Sequence, residues 1–244
     1  MGSGTNARPA TPADVVRTLL TVAAILPGLL AGAWCLLRSR DRRTAMNKAI
    51  GAWGRLGLRA AAVELKVHGA EHLSLRPAVF ILNHQSGIDP ILLCELLQRD
   101  FVAVAKREIR SNPVLGPAFA FAGTVFLDRG DHADALHALQ PAVEKLRGGT
   151  AIAMAPEGTR SPGSALGRFK KGAFRIAMAA GVPLVPIVIH DAGRVLPQGG
   201  WIMRSGVVNV SVLAPLETSD WSLDALDQKV KEVEAAYRLE LSQR

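Results

Sequence analysis

Apolar positions divide the chain into two regimes. Residues 18–37, TLLTVAAILPGLLAGAWCLL, carry no charge, and about 20 such residues are what a helix needs to cross a bilayer core. Pro27-Gly28 predicts a break near the middle. Arg38, Arg40, Arg42 and Arg43 follow at once, and a basic block of this kind holds its end of a membrane segment on the cytoplasmic side. Ala31-Gly32-Ala33 resembles a signal-peptide cleavage site, but the arginines just beyond it oppose translocation. Residues 45–65 then set Lys48, Arg55 and Arg59 among apolar positions at roughly helical spacing. That pattern predicts a helix in the membrane interface with its basic face toward anionic lipid. One spanning helix and a two-helix re-entrant motif both fit.

From Val63 the pattern changes to short runs rich in valine and isoleucine that alternate with helical stripes. It predicts strands over 63–67, 78–82, 101–105, 124–127, 150–154, 182–189 and 207–213, and helices over 89–98, 113–122, 132–147, 170–180 and 222–242. In the last helix Leu223, Leu226, Val230, Val233 and Tyr237 form one apolar stripe. The fold class is therefore α/β, a mixed or parallel sheet flanked by helices and preceded by a membrane-attached helical segment. Residues 1–10 read as a disordered tail, 11–62 as the anchor and 63–244 as one α/β domain.

Composition narrows the partners. The chain has 244 residues, 49% hydrophobic, with a formal net charge of +8. This balance suits phosphorylated substrates or an anionic membrane surface. Aromatics are only 5% and are not interleaved with basic residues, which argues against a stacking nucleic-acid surface. The two cysteines, Cys35 and Cys94, lie in separate apolar segments and form neither a metal-ligand cluster nor a disulfide framework.

The residues with the most chemistry are His84 and Asp89, in Asn83-His84-Gln85-Ser86-Gly87-Ile88-Asp89-Pro90 between a strand and a helix. Such a turn folds back and brings the carboxylate within reach of one ring nitrogen, leaving the other to take a proton from a hydroxyl group. The plain alternative is capping, with Asp89 as N-cap and Pro90 in the first turn. Asp128-Arg129 ends the strand over 124–127 as an ion pair or a phosphate fork. Pro156-Glu157-Gly158-Thr159-Arg160 follows another strand, where α/β sheets bind ligands. There Gly158 permits positive φ, Thr159 supplies a hydroxyl, Arg160 a clamp, and Glu157 either orients Arg160 or accepts from a substrate hydroxyl. Lys106 at a strand end and Lys170 at a helix start are further cations. The sequence has no G-x-S-x-G elbow, Walker loop or dinucleotide fingerprint in a strand-helix setting.

In their order, Asn83 to Pro90, Gly123 to Arg129, Pro156 to Arg160 and Val185 to Ile189 resemble the four blocks of the glycerolipid acyltransferases with an H-x4-D motif. The 1-acyl-sn-glycerol-3-phosphate acyltransferases are the nearest likeness. Gly87-Ile88 departs from it where a bulkier residue often follows the serine. The resemblance implies that His84 is the general base and Asp89 its orienter. It also implies that Arg129, Glu157, Gly158, Thr159 and Arg160 bind the acceptor phosphate and glycerol, with Lys106 and Lys170 extending that pocket. It implies direct acyl transfer from acyl-CoA or acyl-carrier protein to lysophosphatidic acid, without metal or cofactor, on the cytoplasmic side of a membrane (the inner membrane in a bacterium). Another lyso-lipid acceptor, thioester hydrolysis at the same dyad and a non-catalytic lipid-binding role remain as alternatives.

Overall fold

A computed structural model describes residues 9–113, 115–127, 139–158 and 166–243. The sequence-predicted site residues Arg129, Thr159 and Arg160 lie outside these. So do Asp128, His132 and His137.

The N-terminal region is a helical hairpin. Helix α1 (Pro12–Ala23) is capped by Thr11, whose hydroxyl accepts from the Asp14 amide while the Asp14 carboxylate accepts from Thr11 N–H. It ends at Ala23, and α2 (Ile25–Ser39) continues after Ala24. The break falls three residues before Pro27 rather than at it, because the proline ring crowds the carbonyl four residues earlier, that of Ala23. Arg40 then turns the chain in the left-handed conformation, and α3 (Arg42–Ala61) runs back along α2.

Close approach between these helices depends on small residues. A Cβ on Gly28 would lie 2.9 Å from Ala49 O, and one on Gly32 would lie 2.9 Å from Ala49 Cβ. On another face of α3, a Cβ on Gly54 would lie 2.5 Å from Glu95 N of α4 (Asp89–Leu97), and one on Gly57 2.7 Å from Ile91. Of residues 45–65, expected as a helix with a basic face, those up to Ala61 belong to α3: its Ala45, Ile50, Leu58 and Ala61 are buried, while Lys48, Arg55 and Arg59 stay exposed. Its far end joins the sheet directly: Ala62 adopts the left-handed conformation and β1 (Val63–His68) begins.

Among the described residues the remaining strands are β2 (Val79–Leu82), β3 (Phe101–Lys106), β4 (Val125–Leu127), β5 (Ala151–Met154), β6 (Leu184–Ile189) and β7 (Gly206–Val212). They form a seven-stranded mixed sheet in the order β1-β7-β6-β2-β5-β3-β4. Only β6 and β7 pair antiparallel. The central strands β2, β5 and β6 are buried along their whole length, as their unbroken apolar runs require of a sheet covered on both faces. Alternation then sorts the side chains. Phe80 and Leu82 pack with residues of α3 and α4, whereas Val79 and Ile81 pack with residues of α6 (Gln140–Arg147), α7 (Gly172–Ala180) and α9 (Leu226–Ser242).

Helix α5 (Leu115–Phe121) precedes β4, and a short α8 (Ala192–Val195), not expected from the sequence, follows β6. In α9 the buried stripe is Leu226, Val230, Val233 and Tyr237. Leu223 lies before the helix and is 70% exposed, so it is not part of that stripe. The predicted helix over 170–180 starts at Gly172.

Candidate active site

Parallel pairing places the carboxyl ends of β6, β2, β5, β3 and β4 along one edge of the sheet. The segments with the candidate chemistry leave from that edge, as ligand-binding loops of α/β sheets do. His84 follows β2, Glu157 and Gly158 follow β5, and Lys106 ends β3. Lys106 sits two strands from the His84 turn, about 10 Å at the usual inter-strand spacing.

The His84 turn is held at four points. Asn83, fully buried, joins β2 to β6: its Nδ2 donates to Ile189 O at 2.9 Å and its Oδ1 accepts from Ile189 N at 2.7 Å. Asp89 Oδ2 lies 2.6 Å from His84 Nδ1 and also accepts from the amides of Gln85 and Ser86, each at 3.0 Å. Ser86 Oγ donates to Leu196 O at 2.7 Å. The His84 amide donates to Glu157 Oε1 at 2.8 Å, and Glu157 Oε2 accepts from Gly167 N at 2.7 Å.

This geometry answers the capping alternative. Asp89 is the first residue of α4, the N-cap is Ile88, and no side chain caps the helix. The carboxylate turns back onto the loop instead. It is 2% exposed, while the His84 side chain is 26% exposed. A buried carboxylate therefore faces one nitrogen of a half-open imidazole. Gly87, where a bulkier residue was expected, is filled from outside: a Cβ there would lie 2.9 Å from Leu196 Cδ2.

Glu157 is buried and engages two backbone amides, that of His84 and that of Gly167 in its own connection between β5 and α7. It thereby ties the loop after β5 to the His84 turn, a link that spacing in the sequence does not show. Gly158 has φ +77°, which a side chain would strain, and its amide donates to Ala155 O at 3.2 Å. Lys170 is exposed and its amide donates to Pro156 O at 2.9 Å. Lys171 pairs with Asp227 at the start of α9 at 2.8 Å.

Asn83 and Tyr237 were both noted in the sequence, one in the His84 segment and one on an apolar stripe, but their role in joining strands was not. Fully buried Tyr237 donates to Ile81 O at 2.7 Å and accepts from Ile187 N at 3.0 Å, joining β2 to β6 just before Asn83 does. Burial holds its hydroxyl well above the ordinary tyrosine value, the Glu157 charge adding to the shift. Phe169 stacks edge-on against Tyr237 with ring centroids 5.0 Å apart. The only advance signals were an apolar strand ending in asparagine and a lone tyrosine on an apolar stripe. An apolar cavity of about 60 Å³ lies between the hairpin and the sheet, lined by Ile25, Trp53, Pro90, Leu93, Cys94 and Phe119 among others. Of the turn and its helix start, Pro90 lines this cavity, whereas His84 and Asp89 do not.

A histidine oriented by a buried carboxylate, at the carboxyl edge of a mixed α/β sheet, is the arrangement that general-base chemistry on a hydroxyl group requires. A family model described as Acyltransferase matches residues 64–190, just over half of the chain, and the protein belongs to that acyltransferase family.

Its relatives include a 1-acyl-sn-glycerol-3-phosphate acyltransferase of Limnanthes douglasii, 32% identical over 176 residues, covering 72% of this chain and 62% of the relative. The chain thus spans about three fifths of that plant protein. An enzyme of the same name from Salmonella typhimurium is 29% identical over 236 residues, covering 94% of this chain and 92% of the relative. The crystal structure of the 1-acyl-sn-glycerophosphate (LPA) acyltransferase PlsC from Thermotoga maritima superposes with a TM-score of 0.75. It is 29% identical, with 95% of this chain and 98% of that chain covered.

Proposed function

We propose that the protein is a membrane-attached O-acyltransferase. It moves a fatty acyl group from acyl-CoA or acyl-carrier protein to the free glycerol hydroxyl of 1-acyl-glycerol 3-phosphate, giving phosphatidic acid for phospholipid synthesis. The observation that carries this reading is the 2.6 Å contact between His84 Nδ1 and Asp89 Oδ2. With Nδ1 committed to the carboxylate, Nε2 takes the proton of the acceptor hydroxyl. The oxygen attacks the thioester carbonyl, the carbon–sulfur bond breaks, and the imidazolium gives the proton to the departing thiolate. Asp89 fixes the tautomer and stabilises the imidazolium while it exists. This route needs no acyl-enzyme and calls for no metal or redox cofactor.

Lys106, Arg129, Glu157, Gly158, Thr159, Arg160 and Lys170 are proposed to form the acceptor side of the site. Supporting this, the loop after β5 is tied to the His84 turn through Glu157, and Lys106 lies on the same sheet edge. The names of the relatives favour a lysophosphatidic acid acceptor. Membrane attachment is supported by residues Pro12–Ser39, a 28-residue helical stretch long and apolar enough to cross a membrane. A catalytic domain on the cytoplasmic side is proposed from the arginines after it, which the positive-inside rule favours there.

The test is acyl transfer by the detergent-purified protein, with labelled acyl-CoA or acyl-carrier protein and a panel of lyso-acceptors, beside His84→Ala. Acceptor-dependent product that disappears in the variant is expected. Turnover only with acceptors lacking a phosphomonoester would overturn the acceptor assignment. Thioester hydrolysis at the same rate without acceptor would move the protein to the hydrolases.

A further inference from the structure

Three of the basic residues of α3 have no part in the dyad or in the acceptor loops. Lys48, Arg55 and Arg59 lie on one stripe of the helix, exposed. With Gln98 and Arg99, just beyond α4, and Ala31 of α2, they line one surface groove of about 570 Å³. None of the four cations has a carboxylate within 4 Å among the described residues. Arg43, near the start of the same helix, behaves otherwise and pairs with Asp100. An acid does stand near the groove, Glu95 of α4. It lines the adjoining depression with Arg55 and Arg59, and burial raises its carboxyl group against the pull of those two arginines. No carboxylate is among the residues that line the groove itself, so four cations share one concave strip.

Its surroundings indicate what neutralises that charge. Lys48 to Arg59 spans 11 residues of helix, about 16 Å, longer than one small anion. One wall is α2, and beyond Ala31 the same helix exposes Leu30, Trp34 and Leu37, Trp34 to 67%. Anionic head groups beside an apolar helix face are the chemistry of a phospholipid, with chains along α2 and charge against α3. The groove lies at the C-terminal end of α4, whereas the dyad lies at its N-terminal end, nine residues away, about 14 Å.

We propose that this groove is a binding site for anionic phospholipid of the bilayer, separate from the catalytic centre. The inference rests on membrane attachment through α1 and α2. Full-length protein in neutral detergent micelles is titrated with phosphatidylglycerol or phosphatidylcholine carrying brominated chains, and tryptophan quenching is read. Each cation near an anionic lipid contributes about fivefold in affinity. Lys48→Gln/Arg55→Gln/Arg59→Gln should therefore weaken phosphatidylglycerol quenching on the order of a hundredfold, and Arg55→Gln alone about fivefold.

Quenching by phosphatidylcholine should be the same in every variant. A control with equal charge change on the far helices, Lys145→Gln/Arg147→Gln/Lys231→Gln, should match wild type. Equal losses in groove and control variants would overturn the site, as would displacement of the lipid by millimolar inorganic phosphate. Absence of quenching by either lipid would sink the membrane attachment on which the site depends. Turnover of a short-chain, monomeric acceptor checks that the triple variant is folded.

Discussion

Asp89→Asn separates the two tasks of the carboxylate. In the native turn Oδ2 alone accepts from the Gln85 and Ser86 amides and faces His84 Nδ1, while Oδ1 is buried with no hydrogen-bond partner. An asparagine can set its carbonyl where Oδ2 stands and keep all three contacts. Its amide nitrogen then occupies the unpartnered position, at a cost of about 1–3 kcal/mol in stability. For a chain of this size that lowers Tm by roughly 2–10 °C, so the variant stays folded at 25 °C. What it loses is the charge. At about 4 Å in an effective dielectric of about 20, a carboxylate and an imidazolium attract by roughly 4 kcal/mol. That attraction exists only once His84 has taken the proton, so its loss falls on the chemical step. We expect kcat to drop about 10³-fold with little change in KM. The assay is steady-state acyl transfer with the acceptor varied, alongside thermal unfolding. A folded variant that keeps kcat within about tenfold of wild type would refute the role assigned to Asp89.

Glu157→Gln leaves the His84 and Gly167 amides with one carbonyl between them and sets an NH₂ group against an N–H; stability should fall by about 1–3 kcal/mol and kcat more than KM changes. A fall confined to KM would show that Glu157 acts on the acceptor and not on the turn. Gly54→Ala places a Cβ 2.5 Å from Glu95 N, and we expect a net loss of about 1–3 kcal/mol despite better helix propensity. Gly51→Ala, three residues away, meets only Gln98 O at 3.6 Å and should gain up to roughly 1 kcal/mol; equal effects in thermal unfolding would contradict the packing assigned to α3 and α4. The bond from Arg43, joined by that from Asn47, holds the Asp100 carboxyl below its ordinary value against partial desolvation. A depressed folded-state value means stability that is present above the unfolded value of about 3.9 and lost as pH falls through the folded one. Tm should therefore drop on acidification below about pH 4, and by less in Asp100→Asn, which tolerates the φ of +53° at that position; an unchanged acid limb would discount this tie between the hairpin and the sheet.

The seven strands were legible because β2, β5 and β6 are continuous apolar runs bounded by turn residues, and burial on both faces demands such runs. The contact between His84 and Asp89 was legible because they are five residues apart on one turn, so local geometry alone brings them together. Glu157 was singled out, but its partners were not, since they come from loops 73 and 10 residues away. The bonds of Asn83 and Tyr237 were invisible for the same reason: each joins strands that neighbour one another only after the sheet has assembled. Register also decided that Lys106 shares an edge with His84. The apolar content of residues 18–37 is what marks them as long and apolar enough for a bilayer. Which face of α2 meets α3 was settled by the glycines and alanines that let two backbones touch. Local pattern encodes elements and short-range chemistry, whereas contacts between distant segments exist only when packing brings their backbones side by side.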